Sequence, residues 1–181
     1  MAQVRRSNPS AFATITAHLK ELDGKQARAG WFENAKYENG VSVAQVAMWQ
    51  EFGTGKIPPR PFMRVAVAEN TKKWRELMAS GAKAILKGTR TLDDVMNMIG
   101  TEAENDIARA IEAVTSPPLS PITIELRAMR RKGIVITGRT VGEAAEKIKS
   151  EGYTPPNVSA KPLIDSALLF SSVSHIVEKS S

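Results

Sequence analysis

Residues 53–61 read Gly-Thr-Gly-Lys-Ile-Pro-Pro-Arg-Pro, two glycines and three prolines in nine positions. Proline fixes φ, removes an N–H and pushes the preceding residue out of helical conformation, so neither a helix nor a central strand can run through this stretch. The chain must break here into a stiff, exposed loop, with separate elements on either side. Loops of this kind often carry function.

The flanks are helical by pattern. Upstream, Ser42 with Gln45 has capping-box spacing, and Val43, Val46, Ala47 and the run to Phe52 fit a short helix stopped at Gly53. Downstream, a long helix is predicted from Phe62 to about Lys87, burying Phe62, Val65, Ala66, Trp74, Leu77, Met78, Ile85 and Leu86, with Gly81 weakening its middle. Thr91 with Asp94 caps a further helix in which Leu92, Val95, Ile99, Ile107, Ile111 and Val114 recur at helical spacing. Asn8 and Pro9 open a first helix over residues 9–22, carried by Phe12, Ile15, Leu19 and Leu22.

Residues 26–32 alternate as a strand, and residues 172–178 and 134–136 read as two more. Short helices follow from Pro121, from a Thr140–Glu143 capping box to about Ser150, and over 164–170. Helices alternating with sparse strands predict an α+β fold, several helices packed on a small, mainly antiparallel sheet with extended arms or loops. With 181 residues, a single domain over 1–181 is expected, with an excursion at 134–160 and a C-terminal docking segment at 161–181.

Hydrophobic residues make up 42% of the chain, enough to build a core, and no apolar run approaches the ~20 residues that cross a bilayer. A soluble protein without a secretory leader is expected. Cysteine is absent, which excludes disulfides, thiol nucleophiles and thiolate metal sites. Net charge is +6, but it is lopsided: residues 1–90 hold fifteen Lys/Arg against seven Asp/Glu, and 91–181 hold ten against twelve. An acidic stretch at 92–114 precedes the basic cluster Arg127, Arg130, Arg131, Lys132. These blocks read either as solvated helix faces of differing sign or as head-to-tail contacts between copies.

Sites with chemistry are hard to find. Gly55-Lys56 has Gln50 where a P-loop needs glycine, and 133–140 (GIVITGRT) places β-branched residues where a phosphate-cradling loop needs free backbone N–H groups. Neither His18 nor His175 sits in a recognisable triad. Glu102, Glu104 and Asp106 read as solvent-facing rather than as a ligand set, since adjacent or alternate residues of a helix do not share a face. Trp31, Trp49, Phe52 and Phe62 read as core aromatics in preference to base-stacking platforms. No catalytic residue, metal or cofactor is expected.

Three stretches do carry a resemblance. Residues 30–67 combine a Gly-aromatic strand, a short helix ending Glu51-Phe52-Gly53-Thr54, and Ile57-Pro58-Pro59-Arg60-Pro61-Phe62-Met63-Arg64 leading into a helix. Pro118-Leu119-Ser120-Pro121 leads through Thr123 to Arg127–Lys132, and Lys161-Pro162-Leu163-Ile164-Asp165-Ser166 precedes Leu168-Leu169 and Ser172-Val173. In this order the blocks resemble the small neck and tail-completion proteins of long-tailed bacteriophages. Asp165-Ser166-Ala167 departs from the Asp-Thr-Gly usual in that family, and residues 134–160 are longer than its usual connection.

The resemblance implies a non-enzymatic virion protein, made in the host bacterial cytoplasm and placed at the neck, the head-proximal end of the tail. It would complete or terminate the tail and join it to the head connector as a homo-oligomeric ring, six-fold by family expectation. The implied partners are other copies of the chain, a tail tube protein and a head-completion or connector protein, with non-specific contact to genomic DNA in the channel as a further candidate and no membrane. Lys56, Pro58, Pro59, Arg60, Phe62, Arg64, Arg127, Arg130, Arg131 and Lys132 are the interface candidates. Arg60 and Arg64 either pair with a neighbour's carboxylates in the 92–114 helix or brace their own fold. The competing function is a basic nucleic-acid-binding module without catalytic activity, reading phosphates rather than bases.

Overall fold

The computed structural model describes residues 13, 14, 16, 17, 20, 24–32, 35–164 and 167–179. The residues that carry the first predicted helix, together with His18, Asp165 and Ser166, lie outside this set.

The class is α+β. The elements are β1 (Lys25–Gly30), α1 (Val43–Phe52), α2 (Met63–Leu86), α3 (Leu92–Ala113), α4 (Pro121–Arg131), α5 (Gly138–Lys149), α6 (Leu168–Ser171) and β2 (Ser174–Lys179). The two strands pair antiparallel in the register Lys25↔Lys179 to Gly30↔Ser174. Where one domain is expected from length, the chain divides into two compact units. The first comprises Met1–Phe32, Arg64–Ile107 and Val173–Ser181; the second comprises Glu33–Met63 and Ala108–Ser172.

The first unit is built on a cluster of Ile85, Leu92, Val95, Met96 and Ile99, against which Ala27, Leu77 and Val177 pack. This arrangement follows from the i, i+3, i+4, i+7 spacing of Leu92, Val95, Met96 and Ile99 on α3, which puts all four on one face. Gly81 serves a purpose other than helix weakening: it is buried, and a Cβ there would collide with Val95 Cγ1. Its lack of a side chain is what lets α2 approach Val95. The Thr91–Asp94 capping box forms reciprocally, Asp94 N–H to Thr91 Oγ1 and Thr91 N–H to Asp94 Oδ2, both at 3.1 Å.

The acidic face of α3 is not simply solvated. Glu102 and Asp106, four residues apart and so on one face, both take Lys73 Nζ, at 2.9 and 2.6 Å, and buried Asp106 also accepts Trp74 Nε1–H at 2.8 Å. Glu104 Oε2 lies 2.8 Å from His175 Nδ1, and Asp93 pairs with Lys25. His175 is thus a strand residue tied to α3, packed where Gly100 leaves room for its ring.

In the second unit α1 packs on α6 and α4 on α5. Buried alanines, Ala47 on α1, Ala110 on α3, Ala128 on α4 and Ala144 on α5, allow close approach. Several local expectations change here. Ser42 occupies the N-cap of α1 without a side-chain cap bond. Helix α5 starts three residues before Glu143 would have capped it, because Thr137 and Thr140 form the capping box and Glu143 instead pairs with Arg139. Residues 134–136, expected as a strand, belong to no helix or ladder.

The expected arms are engaged within the chain. Lys147 of α5 pairs with buried Glu125, which also takes Tyr153 Oη–H, so much of the 134–160 excursion is anchored on α4. The end of the C-terminal segment is β2.

Candidate interaction surface

The Pro-rich loop owes its form to Gly53. This residue ends α1 with φ 77°, a conformation that favours glycine, and a Cβ there would stand 2.9 Å from both Ile57 O and Pro59 N. The chain then folds back: Thr54 N–H donates to Ile57 O at 2.8 Å, and Thr54 Oγ1 accepts the N–H groups of Lys56 and Ile57 at 3.2 and 3.1 Å. Arg60 N–H returns to Gln50 O at 2.6 Å. Lys56, Pro58 and Pro59 are left exposed at the tip, beside Phe52, which is 66% exposed at the end of α1. Phe52 therefore departs from the core role expected of the aromatics. Phe62 keeps it and is fully buried; Trp31 and Trp49 are half-buried.

Arg60 is 4% exposed and braces its own unit. Its Nε–H donates to Pro117 O at 2.9 Å, one terminal nitrogen to Gln50 Oε1 at 3.0 Å and the other to Pro118 O at 3.3 Å. Of the two roles open to it, the structure shows the bracing one, with Nε and both terminal nitrogens bonded within the unit. Burial holds its guanidinium below the ordinary arginine range. Phe62 and Arg127 are likewise removed from the directly accessible set.

Arg127 is 7% exposed on the inward face of α4. One terminal nitrogen donates to the carbonyls of Ser159, Lys161 and Ile164 at 3.0, 2.9 and 3.3 Å, and the other to Pro162 O at 3.0 Å. Burial first, and then the charges of Arg130, Arg131 and Arg60, bring this guanidinium down to about 10. The two arginines solve one problem. Proline-rich segments cannot form ladders, yet their carbonyls still need donors, and a planar fork with five N–H groups supplies several from one side chain. Sequence reasoning places such residues at the surface because a cluster of cations normally lies there.

Glu51 is the partner that sequence reasoning missed. Buried at the end of α1, it accepts the N–H groups of Phe62 and Met63 through one oxygen, satisfying donors at the start of α2. The spacing of eleven residues across a Pro/Gly loop gives no local signature; a carboxylate closing an otherwise apolar helix end is the only sign.

The candidates that stay accessible are Lys56, Pro58 and Pro59 on the loop, Arg64 on the first turn of α2, and Arg130, Arg131 and Lys132 at the C-terminal end of α4. Within the second unit, buried Arg60 and exposed Arg130 and Arg131 each lie within electrostatic range of Arg127, and Arg130 also of Tyr37. Cations at a helix C-terminus are favoured by the peptide dipoles, which accounts for their stability there. No group of three or more acidic or histidine side chains able to hold a metal occurs among the described residues, and no helix among them is long and apolar enough to cross a membrane. No family model, curated protein or solved structure matches the chain.

Proposed function

We propose that this chain is a non-enzymatic structural protein of the phage neck, completing or terminating the tail and joining it to the head connector as a homo-oligomeric ring. One observation supports this above the others. The loop at 53–61, Pro118 and the 161–164 segment belong to the three stretches that carry the resemblance, and Arg60 and Arg127 tie each of the last two to α1, its loop or α4 within one unit. The likeness therefore follows one internally braced framework. That framework presents Lys56, Pro58 and Pro59 on a loop already ordered by internal bonds, with Phe52 beside it at the end of α1, which lowers the entropy lost when the same contact is made repeatedly around a ring. Further copies, a tail tube protein and a head connector are the partners of this reading.

Electron microscopy of lysates from the phage carrying the gene, with that gene disrupted, tests it. Filled heads beside unjoined or overlong tails are expected; normal infectious virions would end the proposal. A second reading, a basic nucleic-acid-binding module, is favoured by the exposed run Arg130-Arg131-Lys132. Tight, steeply salt-dependent duplex binding by the isolated monomer would select it.

A further inference from the structure

After the turn at Gly133, residues 134–137 run between α4 and α5 outside any helix or strand, Thr137 in extended conformation, and the three apolar β-branched residues among them face water: Val135 is 76% exposed, Ile134 41% and Ile136 39%. Both ends of the run are pinned, Ile134 N–H to Met129 O at 3.1 Å and Thr137 N–H to Thr140 Oγ1 at 2.8 Å. Between them, the backbone groups of Val135 and Ile136 take no hydrogen-bond partner among the described residues. Exposed, branched apolar side chains on a segment pinned at both ends, with backbone groups left unpaired between, are the features of a strand that has not yet paired.

The sheet offers the complement. Among the described residues β1 and β2 are its only strands, so each has one edge without a ladder partner. Proteins blunt such edges with charge. Each strand holds two charged residues, but Arg28 stands in the middle of β1, whereas Glu178 and Lys179 lie at the end of β2 and its middle, Ile176-Val177, is apolar. The β2 edge is the less protected of the two.

We infer that residues 134–136 of one copy add as a third strand to the β2 edge of a second copy; the inference rests on the self-assembly proposed above and names its contact. A second copy is the occupant because every chain carries one run and one edge, matching donor to acceptor in equal number. The two surfaces differ, so the contact is heterologous and propagates head to tail, as a closed ring requires. Main-chain bonds would supply the pairing, and the β-branched side chains would fix the register.

The absence of cysteine makes the test direct. Val135→Cys and Ile176→Cys chains carrying different tags are mixed and oxidised, while light scattering follows the mass of the wild-type chain over the same concentrations. Directly opposed strand residues place their Cβ atoms at disulfide distance, so a mixed Val135→Cys/Ile176→Cys disulfide should dominate wherever the wild type is oligomeric. Val135→Pro, which removes one ladder N–H at an exposed position, should lower the oligomer fraction at least tenfold at fixed concentration with its thermal melt unchanged; Val135→Asp should do the same. Oligomers that persist in both variants and give no mixed disulfide overturn this contact but leave the ring reading standing. A wild-type chain that stays monomeric throughout overturns both. A dominant Val135→Cys self-disulfide overturns the edge assignment in favour of two-fold pairing of the runs.

Discussion

Glu51 Oε2 accepts the Phe62 N–H at 2.8 Å from across the Pro-rich loop. The loop therefore begins and ends on one side chain: Glu51 closes α1, and its carboxylate caps the start of α2 while Arg60 between them reaches to Pro117 and Pro118. Phe62 itself is fully buried, so the cap also fixes where its ring enters the core. Sequence that reads as an exposed loop between two helices is held from beneath at both ends, and only its tip is available to a partner.

Glu51→Ala should destabilise the chain by about 2–3 kcal/mol, since it strands two helix-start N–H groups in a buried place. Glu51→Gln retains an acceptor oxygen and should cost less than half as much. Urea denaturation of the two variants gives the comparison; equal losses would mean that the cap bonds are not what stabilises this turn.

Arg127→Lys should cost about 2–4 kcal/mol. An ammonium is a compact point charge with three donors and cannot span the four carbonyls that the guanidinium reaches. Arg130→Lys, at the exposed end of the same helix, should stay within about 0.5 kcal/mol of wild type. Denaturation midpoints for the pair separate the loss of a fork geometry from a general effect of replacing arginine on α4.

Local rules worked where the residues that satisfy them are adjacent in sequence, and failed where a distant partner competes. The Thr91–Asp94 box and the apolar face of α3 were legible because both are set within one or two helical turns. The Thr140–Glu143 box was not, because Thr137 offers the same chemistry three residues earlier and Arg139 claims Glu143. The run 134–136 has strand composition without a partner strand, and pairing is not a property of a single segment. The burial of Arg60 and Arg127 is not legible for the opposite reason: the backbone carbonyls they reach lie 32 to 58 residues away, which charge pattern does not encode, and bracing was only one of two roles open to Arg60. Of the candidate surface, the loop tip and the end of α4 were legible; the buried arginines behind them were not.

Acid should loosen the first unit through Asp94. Its bonds from the Thr91 backbone and side chain hold the carboxyl below the ordinary range, so the folded state binds the proton less readily than the unfolded chain. The stabilisation is fully present above the unfolded carboxyl pKa and is lost as pH falls through the depressed folded value. Glu178, held low chiefly by Arg28, acts in the same direction on the sheet. Thermal melts from pH 6 downward should show Tm falling only in the acid range, with a shallower fall in Asp94→Asn. An unchanged slope in that variant would remove Asp94 from the account.

Gly81→Ala tests the approach of α2 to Val95. In an exposed helix interior this exchange should stabilise by about 1 kcal/mol, because alanine has the better propensity. Here the added methyl runs into Val95 Cγ1, and Val95 is itself a buried, β-branched side chain of the core cluster. Overpacking should outweigh propensity, for a net loss of about 1–3 kcal/mol. Val95→Ala alone opens a void and should cost about 2 kcal/mol. Combined, the alanine methyl at 81 occupies part of the space that Val95 vacates, so the double variant should be more stable than the sum of the two losses, by about 1–2 kcal/mol in a double-mutant cycle. Strict additivity would show that the two positions do not touch and that Gly81 owes its burial to some other neighbour.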